Sequence, residues 1–474
     1  MMQTQTTSAF SRFHFNYDGA TVLTLWLVAT FAIPQGFVFP GGGAIARPAV
    51  LVGVIGAFAY ALSRLSPAMV PHGRNPVALG LYAYFTVIVM SVALSYNRDL
   101  FPHEINGGYR QVIYNGSMLG VALVAASMQD RSRLELVLKR MVVCGGGLAL
   151  IALLQFYAGF DLLEYVRYPG LVIHGDELLQ SGVRSGFTRS TSTAAHAIEL
   201  SVVMAMLLPF ALHYALHEPN RVVARWYWLS AGLMAATLPT TVSRSAVVAV
   251  GISLGSLVMV WSGRQLVRAV VSGAVLTAII YASRPTLLGS ILALFRNAGT
   301  DDSIAGRTDD YDFAFAFVAE RPIFGRGAGT WGAYTNLLLD NQFLLSLLEI
   351  GWLGVLVMSG MYALALISAR EIRFRAPDDP TRHLGQVLFG SLLAGVVTLF
   401  FVDGFYYAMH TGLLFLFIGT IGGLFRLMRA QSAPDDVIEI AAQRQLLSPR
   451  LTVDAGPRWW VLAMTAARRG DGGR

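Results

Sequence analysis

The chain has 474 residues, of which 55% are hydrophobic and 13% are charged. Soluble domains carry about 25% charged residues, so this composition excludes an ordinary soluble protein and predicts an integral membrane protein. The formal net charge of +7 does not indicate nucleic-acid binding, because membrane proteins collect Arg and Lys on cytoplasmic loops.

The apolar runs predict helices, because barrel strands would alternate every second residue and a helix needs about 20 apolar residues to cross the bilayer. The pattern predicts an all-α polytopic membrane protein with about twelve transmembrane helices. One long polar interval, 284–341, predicts a large outer loop between helices 9 and 10. The predicted spans centre on 20–38, 49–63, 77–95, 111–128, 141–158, 196–216, 226–239, 243–261, 266–283, 342–368, 386–402 and 406–425.

The basic residues set the predicted orientation. The short segments 130–140 and 369–383 are the richest in Arg, and such segments stay in the cytoplasm. Both termini are therefore predicted to be cytoplasmic, and the interval 284–341 lies on the outer face. We predict a membrane domain, 1–428, and a polar cytoplasmic tail, 429–474, whose composition is typical of disorder.

Four polar clusters fall on the predicted outer side. A charged side chain inside a membrane costs at least about 2.5–3.5 kcal/mol, so their concentration at one face indicates chemistry at the membrane surface. The clusters are "RSTSTAAHAIEL" (189–200), "TTVSRSA" (240–246), "GRTDDYDFAFAFVAERPIFGRGAGTW" (306–331) and "DNQFLLSLLEIGWLG" (340–354).

The arginines of these clusters predict an anion site. Arg has a planar guanidinium that binds phosphate oxygens in pairs and keeps its charge at any working pH. Arg244 would face an internal cavity and hold an anion, and two such arginines from separate helices would clamp a diphosphate. The alternative for Arg244 is a side chain that reaches to the membrane interface.

Three further features allow a functional and a structural interpretation. His196 is predicted as a base or as a donor to a sugar hydroxyl, the alternative being a plain polar contact at a helix start. The glycines within 322–331 predict a turn, because no strand precedes them as in a nucleotide-binding loop. A solvated face is favoured over a metal site for Asp301, Asp302, Asp309, Asp310 and Asp312, because their spacing is not that of an ordered ligand set.

Taken in this order, the four clusters resemble the O-antigen ligase and O-antigen polymerase superfamily of bacterial envelope enzymes. The resemblance covers residues 185 to about 360. It implies a GT-C-like glycosyltransferase of the bacterial cytoplasmic (inner) membrane, which passes a glycan from undecaprenyl diphosphate to a hydroxyl of a glycan, lipid or protein acceptor. It implies no cofactor, metal or nucleic-acid partner. By this resemblance Arg244 and Arg307 hold the carrier diphosphate, and our own interpretation adds Arg189 as a third arginine.

The chain departs from the ligase pattern at one position. Ligases commonly carry His-Asn where this chain has Asp340-Asn341, and the resemblance gives that His the role of general base. Asp340 can accept a proton, but nearby arginines lower the pKa of a carboxylate. His196 and Glu320 are therefore alternative bases, with Asp340 or Asn341 orienting the acceptor. The departure leaves both a ligase and a polymerase open.

A transporter or flippase of a lipid-linked glycan is the alternative from another class. Secondary transporters commonly place charges near the bilayer midplane and are built from paired halves. Here the charges gather at one face and one late polar interval dominates, which favours the enzyme.

Overall fold

The computed structural model describes residues 18–65, 73, 75–161, 165–174, 183–184, 187–296, 302–332 and 339–431. Within them the chain is almost wholly helical, as the sequence predicts. The helices are α1 (Gly19–Phe31), α2 (Pro48–Ser63), α3 (Pro76–Ser95), α4 (Pro102–Ser127), α5 (Arg131–Ala158), α6 (Ala197–His217), α7 (Arg221–Thr240), α8 (Arg244–Val258), α9 (Gly263–Ser283), α10 (Pro285–Arg296), α11 (Asp302–Glu320), α12 (Gln342–Arg375), α13 (Asp379–Thr398) and α14 (Ala408–Gln431).

Short elements complete the described part. Two 3-10 turns span Gly43–Ala46 and Gly404–Tyr406. Two antiparallel pairs join β1 (Phe37–Val38) to β2 (Val172–Ile173) and β3 (Val183–Arg184) to β4 (Phe187–Thr188). The predicted tail lies outside the described residues from 432 onward.

Each predicted span contains one helix, and the boundaries differ for local reasons. α1 ends at Phe31 because Pro34 follows and the chain then turns into β1. α4 begins before its apolar run because the Glu104 carboxylate accepts a hydrogen bond from the Phe101 N–H at 3.0 Å. Polar capping of this kind extends a helix beyond the segment that hydrophobicity alone marks.

Six described helices are long and apolar enough to cross a membrane: α3, α5, α6, α9, α12 and α14. Helices α1, α2 and α8 are apolar but shorter. These lengths and compositions support a multi-pass membrane protein. The total of twelve spans remains a prediction.

The interval 284–341 differs from the prediction of a loop, because α10 and α11 occupy much of it. Leu287 of α10 is buried against Val242 and Ile280. Ala314 and Val318 of α11 are buried with the first turns of α12. Apolar side chains at i and i+4 lie on one helix face, so this polar interval contains helices that pack onto the bundle.

Helices α6 and α14 form the centre of the bundle, since about nine-tenths of each apolar stretch is buried. Their first residues meet, because the Met409 N–H donates to the Glu199 carboxylate at 2.8 Å. The end of α13 meets the start of α12, where the Gln342 N–H donates to the Leu399 carbonyl at 2.8 Å. The starts of α6, α12 and α14 therefore share one end of the bundle.

The glycine turn that precedes α12 packs into a kink in that helix. Gly351 has φ 68° and ψ −175°, which breaks the helix. The freed N–H groups of Trp352 and Leu353 donate to the carbonyls of Pro322 and Ile323 at 2.8 and 3.2 Å. The prediction of a turn at these glycines is confirmed, and the turn supplies the hydrogen bonds that a broken helix requires inside a membrane.

We expect Gly351→Ala to destabilise the fold by at least about 2 kcal/mol, since its backbone conformation is one that only glycine adopts easily. An added Cβ would also collide with the Ile323 carbonyl oxygen. The matched control is Gly360→Ala in the same helix, where a Cβ meets nothing within 4 Å. Thermal unfolding in detergent measures both, and equal midpoints for the two variants would contradict this account of the kink.

Candidate functional site

A buried polar segment, 189–196, leads the chain into α6. Ser190 Oγ donates to the Ala152 carbonyl of α5 at 3.0 Å, and Thr193 Oγ1 donates to the last carbonyl of α1 at 2.7 Å. The side-chain oxygen of Gln155 accepts two backbone N–H groups of the segment, both at 2.9 Å. These hydroxyls therefore fix the segment to its neighbours, and their role is structural.

Arg189 holds the turn that precedes α8. Its side chain is 6% exposed, and its Nε donates to the Thr241 carbonyl at 2.7 Å. The next residue, Val242, is buried against α10 and has φ 44°. α8 then begins at Arg244, whose side chain is partly buried. Two of the predicted diphosphate arginines thus flank one turn, although the Nε of Arg189 already contacts the backbone.

Asn341 joins α11 to the start of α12. Its Oδ1 caps α12 by accepting the N–H groups of Phe343 and Leu344 at 3.0 and 3.2 Å. Its Nδ2 donates to the Tyr311 hydroxyl at 3.0 Å. Arg307 lies one turn before Tyr311 in α11, and its side chain lies outside the described part. The structure thus brings the helix that carries Arg307 to the residue next to Asp340.

Tyr407 lies directly before α14 and links several charged residues. Its ring stacks on that of His196, with the centroids 6.2 Å apart. The carboxylates of Glu199, Asp403 and Asp340 are close enough for their charges to act on its hydroxyl. We call these five residues the Tyr407 cluster. It unites the predicted residues Asp340 and His196 with three residues that the sequence analysis did not select.

Asp403 gives the cluster a proton acceptor that sequence reasoning missed. It lies in the turn between α13 and α14, and its Oδ1 accepts the Tyr406 N–H at 3.4 Å. Burial raises the pKa of Asp403 to about 7, and the negative charge of Asp340 contributes to the rise. A base with a pKa near the working pH is the most effective one. The cluster therefore contains a carboxyl group whose pKa lies nearer neutrality than the ordinary value for Asp.

His196 caps α6, and this contact decides its chemistry. Its Nδ1 accepts the Ile198 N–H at 3.2 Å. A nitrogen that accepts carries no proton, so the neutral ring holds its proton on Nε2 and donates from there. The geometry thus favours the predicted role as a hydrogen-bond donor over that of a base.

Two buried charged residues, one within the cluster and one beside it, also escaped the sequence analysis. Glu199 is 1% exposed and accepts the N–H groups of Ala195 and Met409, both at 2.8 Å. Arg47 is 8% exposed, its charge acts on Glu199, and its Nε has no hydrogen-bond partner within the described residues. The signal in each case was a lone charge at the edge of an apolar segment, which is costly in a membrane.

Glu320 is not brought to the cluster. It is the last residue of α11, its side chain is 59% exposed, and it pairs with Arg326 at 3.2 Å. It follows Tyr311 by nine residues (320 minus 311) in the same helix, which is about 14 Å along the axis. The structure thus separates this alternative base from the start of α12.

The acidic residues of the late polar interval remain a predicted solvated face, since most of their side chains lie outside the described part. Among the described residues, the only group of three side chains arranged to hold a metal ion is formed by histidines. That group lies at the opposite end of α6 from His196.

Comparison with known proteins identifies one family. Residues 229–359 match the family model described as O-antigen ligase. The match contains Arg244, Arg307, Glu320, Asp340 and Asn341, and it ends before Asp403. No curated protein matches the chain. The matched region carries the α8 turn, the late polar interval and the start of α12, and its similarity to that family supports a place for this chain in the O-antigen ligase superfamily of membrane glycan-processing proteins.

Proposed function

We propose that the protein transfers a glycan from a polyprenyl-diphosphate carrier to an acceptor hydroxyl at the outer face of the bacterial cytoplasmic membrane. The observation that carries the proposal is the contact between the turn that carries Asp403 and the start of α12, where the Phe405 N–H donates to Gln342 Oε1 at 2.8 Å and brings Asp340 and Asp403 together as a carboxylate pair. A transfer to a hydroxyl needs a base at neutral pH, and the pair provides one within a fold of the O-antigen ligase superfamily.

The leaving group determines the role of the arginines. As the bond between the anomeric carbon and the diphosphate oxygen breaks, negative charge develops on the diphosphate. Arg244 and Arg307 would neutralise that charge, and fixed cations in a site of low dielectric stabilise it strongly. Arg189 supports Arg244 by holding the turn at Thr241. The scheme uses arginine charge where other transferases use a metal ion.

The acceptor side uses the Tyr407 cluster. The acceptor oxygen attacks the anomeric carbon from the face opposite the diphosphate, so the product has inverted configuration. The proton of the acceptor hydroxyl passes to the Asp403 carboxylate. The electrons of the broken bond between the anomeric carbon and the diphosphate oxygen leave with the diphosphate. His196 donates from Nε2 to a hydroxyl of the sugar, and Asp340 orients the acceptor. Asn341 keeps Asp340 in place by capping α12.

Arg47 is an additional cation for the substrate. Its guanidinium is buried, and its Nε has no hydrogen-bond partner within the described part of the chain. A buried cation costs free energy unless an anion lies near it, and an anionic group of the donor glycolipid beside this guanidinium would lower that cost. Arg47 follows the 3-10 turn at Gly43–Ala46 and leads into α2, which gives the site a wall from the early helices.

The order of the helix ends supports the proposed topology. Some helices begin near the residues of the site, namely α6, α8, α12 and α14, and others end there, namely α5, α7 and α13. Consecutive spans of a multi-pass protein alternate in direction across the membrane, which gives this pattern of starts and ends. With the basic segments inside, both termini are cytoplasmic, the site faces outward, and residues 429–474 form the cytoplasmic tail.

Removal of the protein from its host tests this function and separates its two forms. A ligase leaves a full-length carrier-linked chain that is not attached to its acceptor. A polymerase leaves carrier-linked single repeat units. We expect one of these two glycolipids on extraction and mass spectrometry. Unchanged carrier-linked glycolipids would contradict both forms.

A further inference from the structure

Three histidines meet at the end of α6 far from the Tyr407 cluster. His213 and His217 lie in the last two turns of α6, and His383 lies in the first turns of α13. One ring nitrogen from each lies within 4.8 Å of the other two. His213 and His383 are only 4% and 8% exposed. His196 and His213 are separated by about 26 Å along the axis of α6.

The hydrogen bonds fix the proton positions on these rings. His217 Nδ1 lies 2.9 Å from the His213 carbonyl oxygen, which can only accept, so Nδ1 donates and Nε2 keeps its lone pair. Trp261 Nε1 donates to His383 Nε2 at 3.3 Å, so the His383 proton is on Nδ1. That Nδ1 faces His213 Nδ1 at 2.9 Å, and His213 Nδ1 accepts. Two of the three rings therefore present a lone pair to the centre of the group.

A backbone carbonyl that accepts from the far nitrogen of a histidine is the usual support of a metal ligand, because it fixes the tautomer and the ring orientation. His217 has this support. A metal ion would replace the proton between His213 and His383. That proton would move to His383 Nε2, and the long contact with Trp261 would open. All three rings stay neutral, so no proton is lost from the group.

The charges that face the group are mostly balanced. Arg131 pairs with Glu135 at 2.8 Å and with Asp378 at 3.1 Å. Lys139 pairs with Glu218 at 2.7 Å. Arg373 of α12 is the remaining cation whose charge acts on His383. Because the other two cations have carboxylate partners, their fields are largely cancelled at the histidines.

We propose that His213, His217 and His383 form a binding site for a transition-metal ion of the Zn²⁺ class. Three imidazoles suit Zn²⁺, Cu²⁺ or Ni²⁺, whereas Mg²⁺ and Ca²⁺ require oxygen ligands. In a tetrahedral zinc site with Zn–N near 2.0–2.1 Å, the ligand nitrogens lie about 3.3–3.4 Å apart. The 2.9 Å pair would open slightly and the wider pairs would close through side-chain rotation. A fourth position is left for water.

The place of this site in the fold indicates a structural role. It joins the central helix α6, through His213 and His217, to α13, through His383. Metal binding is coupled to the stability of the elements that it joins. The ion would therefore brace the end of the bundle opposite the glycan site and would take no part in transfer.

Equilibrium metal binding to the purified protein in detergent tests this proposal. The affinity tag is removed and the protein is treated with a chelator, then dialysed against Co²⁺ or Zn²⁺. We expect one equivalent of bound metal, a visible absorption band from tetrahedral Co²⁺, and a higher unfolding temperature with Zn²⁺. His217→Ala, at the most exposed of the three positions, should weaken binding by at least about 100-fold, more than the loss of a supporting group does.

His103→Ala is the matched control, because His103 is an exposed histidine of α4 outside the group. Its metal binding should equal that of the wild type. His217→Phe keeps an aromatic ring in the stack without a ligand, so it repeats the test should the alanine variant fail to fold. The proposal is overturned if wild-type protein gives no saturable Co²⁺ band, or if His217→Phe retains it.

Discussion

Replacement of Arg244 by Ala is expected to lower glycan transfer roughly 100- to 1000-fold, the range found when one fixed charge-stabilising group is removed from an active site. Arg244 begins α8 behind the turn that Arg189 holds, so the backbone that carries its guanidinium is fixed before substrate arrives. Arg244→Lys keeps the charge but loses the planar fork, and it should fall between the wild type and the alanine variant. Turnover of a purified lipid-diphosphate donor measures all three.

The matched control for this experiment is Arg264→Ala. Arg264 lies in the first turn of α9 and is exposed, and in the proposed topology it faces the cytoplasm. It should transfer glycan at the wild-type rate. Transfer by Arg244→Ala within threefold of the wild type would remove this arginine from the diphosphate site.

Asp403→Asn is expected to lower transfer by roughly 100- to 10,000-fold, the contribution of a general base. The wild-type kcat/KM should rise with pH through about 7, because burial and the charge of Asp340 raise the pKa of Asp403 to about 7 and only the ionised carboxylate accepts a proton. This rise should be absent in Asp403→Asn. A pH profile of kcat/KM for both proteins measures the effect.

Asp340→Asn is the companion variant. Loss of the Asp340 charge removes one cause of the raised pKa of Asp403, so the rise in kcat/KM should move to lower pH. Folding is checked by thermal unfolding at pH 8, where Asp403→Asn should be at least as stable as the wild type. The reason is that the folded state resists ionisation of Asp403, and its stability therefore falls as pH rises from about 4 through about 7. A pH profile that is unchanged in Asp340→Asn would rule out the coupling of the two carboxylates.

The apolar segments were predictable because a helix that contacts lipid requires a long run of apolar residues, which is visible in the composition of the sequence. Each predicted span holds a helix, even where capping by Glu104 moves its start. The polar interval was predicted as a loop because the first half of the α11 sequence is rich in Asp, and the buried contacts of this helix through Ala314 and Val318 involve only one face. A helix of that kind can be identified only from the surface on which it packs, and the sequence alone does not show that surface.

The candidate site was predictable only in part. Arg244, Asp340 and His196 were found because charges and a histidine stood at the edges of apolar runs, and the structure brings the latter two to Tyr407. Asp403 was missed because a single carboxylate in a short turn is ordinary by itself. Its raised pKa depends on burial and on Asp340, which lies 63 positions earlier (403 minus 340). Glu320 was selected because it lies among other charged residues in the sequence. It lies apart from the Tyr407 cluster because it is at the end of α11, away from Tyr311.

Glycan transfer by the purified protein in detergent tests the central claim most directly. The reaction contains a polyprenyl-diphosphate glycan and candidate acceptors, one of which can be a second glycan molecule, and no membrane separates the substrates. We predict a glycan–acceptor product and free polyprenyl diphosphate in equal amounts. A protein that moves the same glycolipid across vesicle membranes but releases no polyprenyl diphosphate in detergent would be a transporter, and this result would contradict the proposed function.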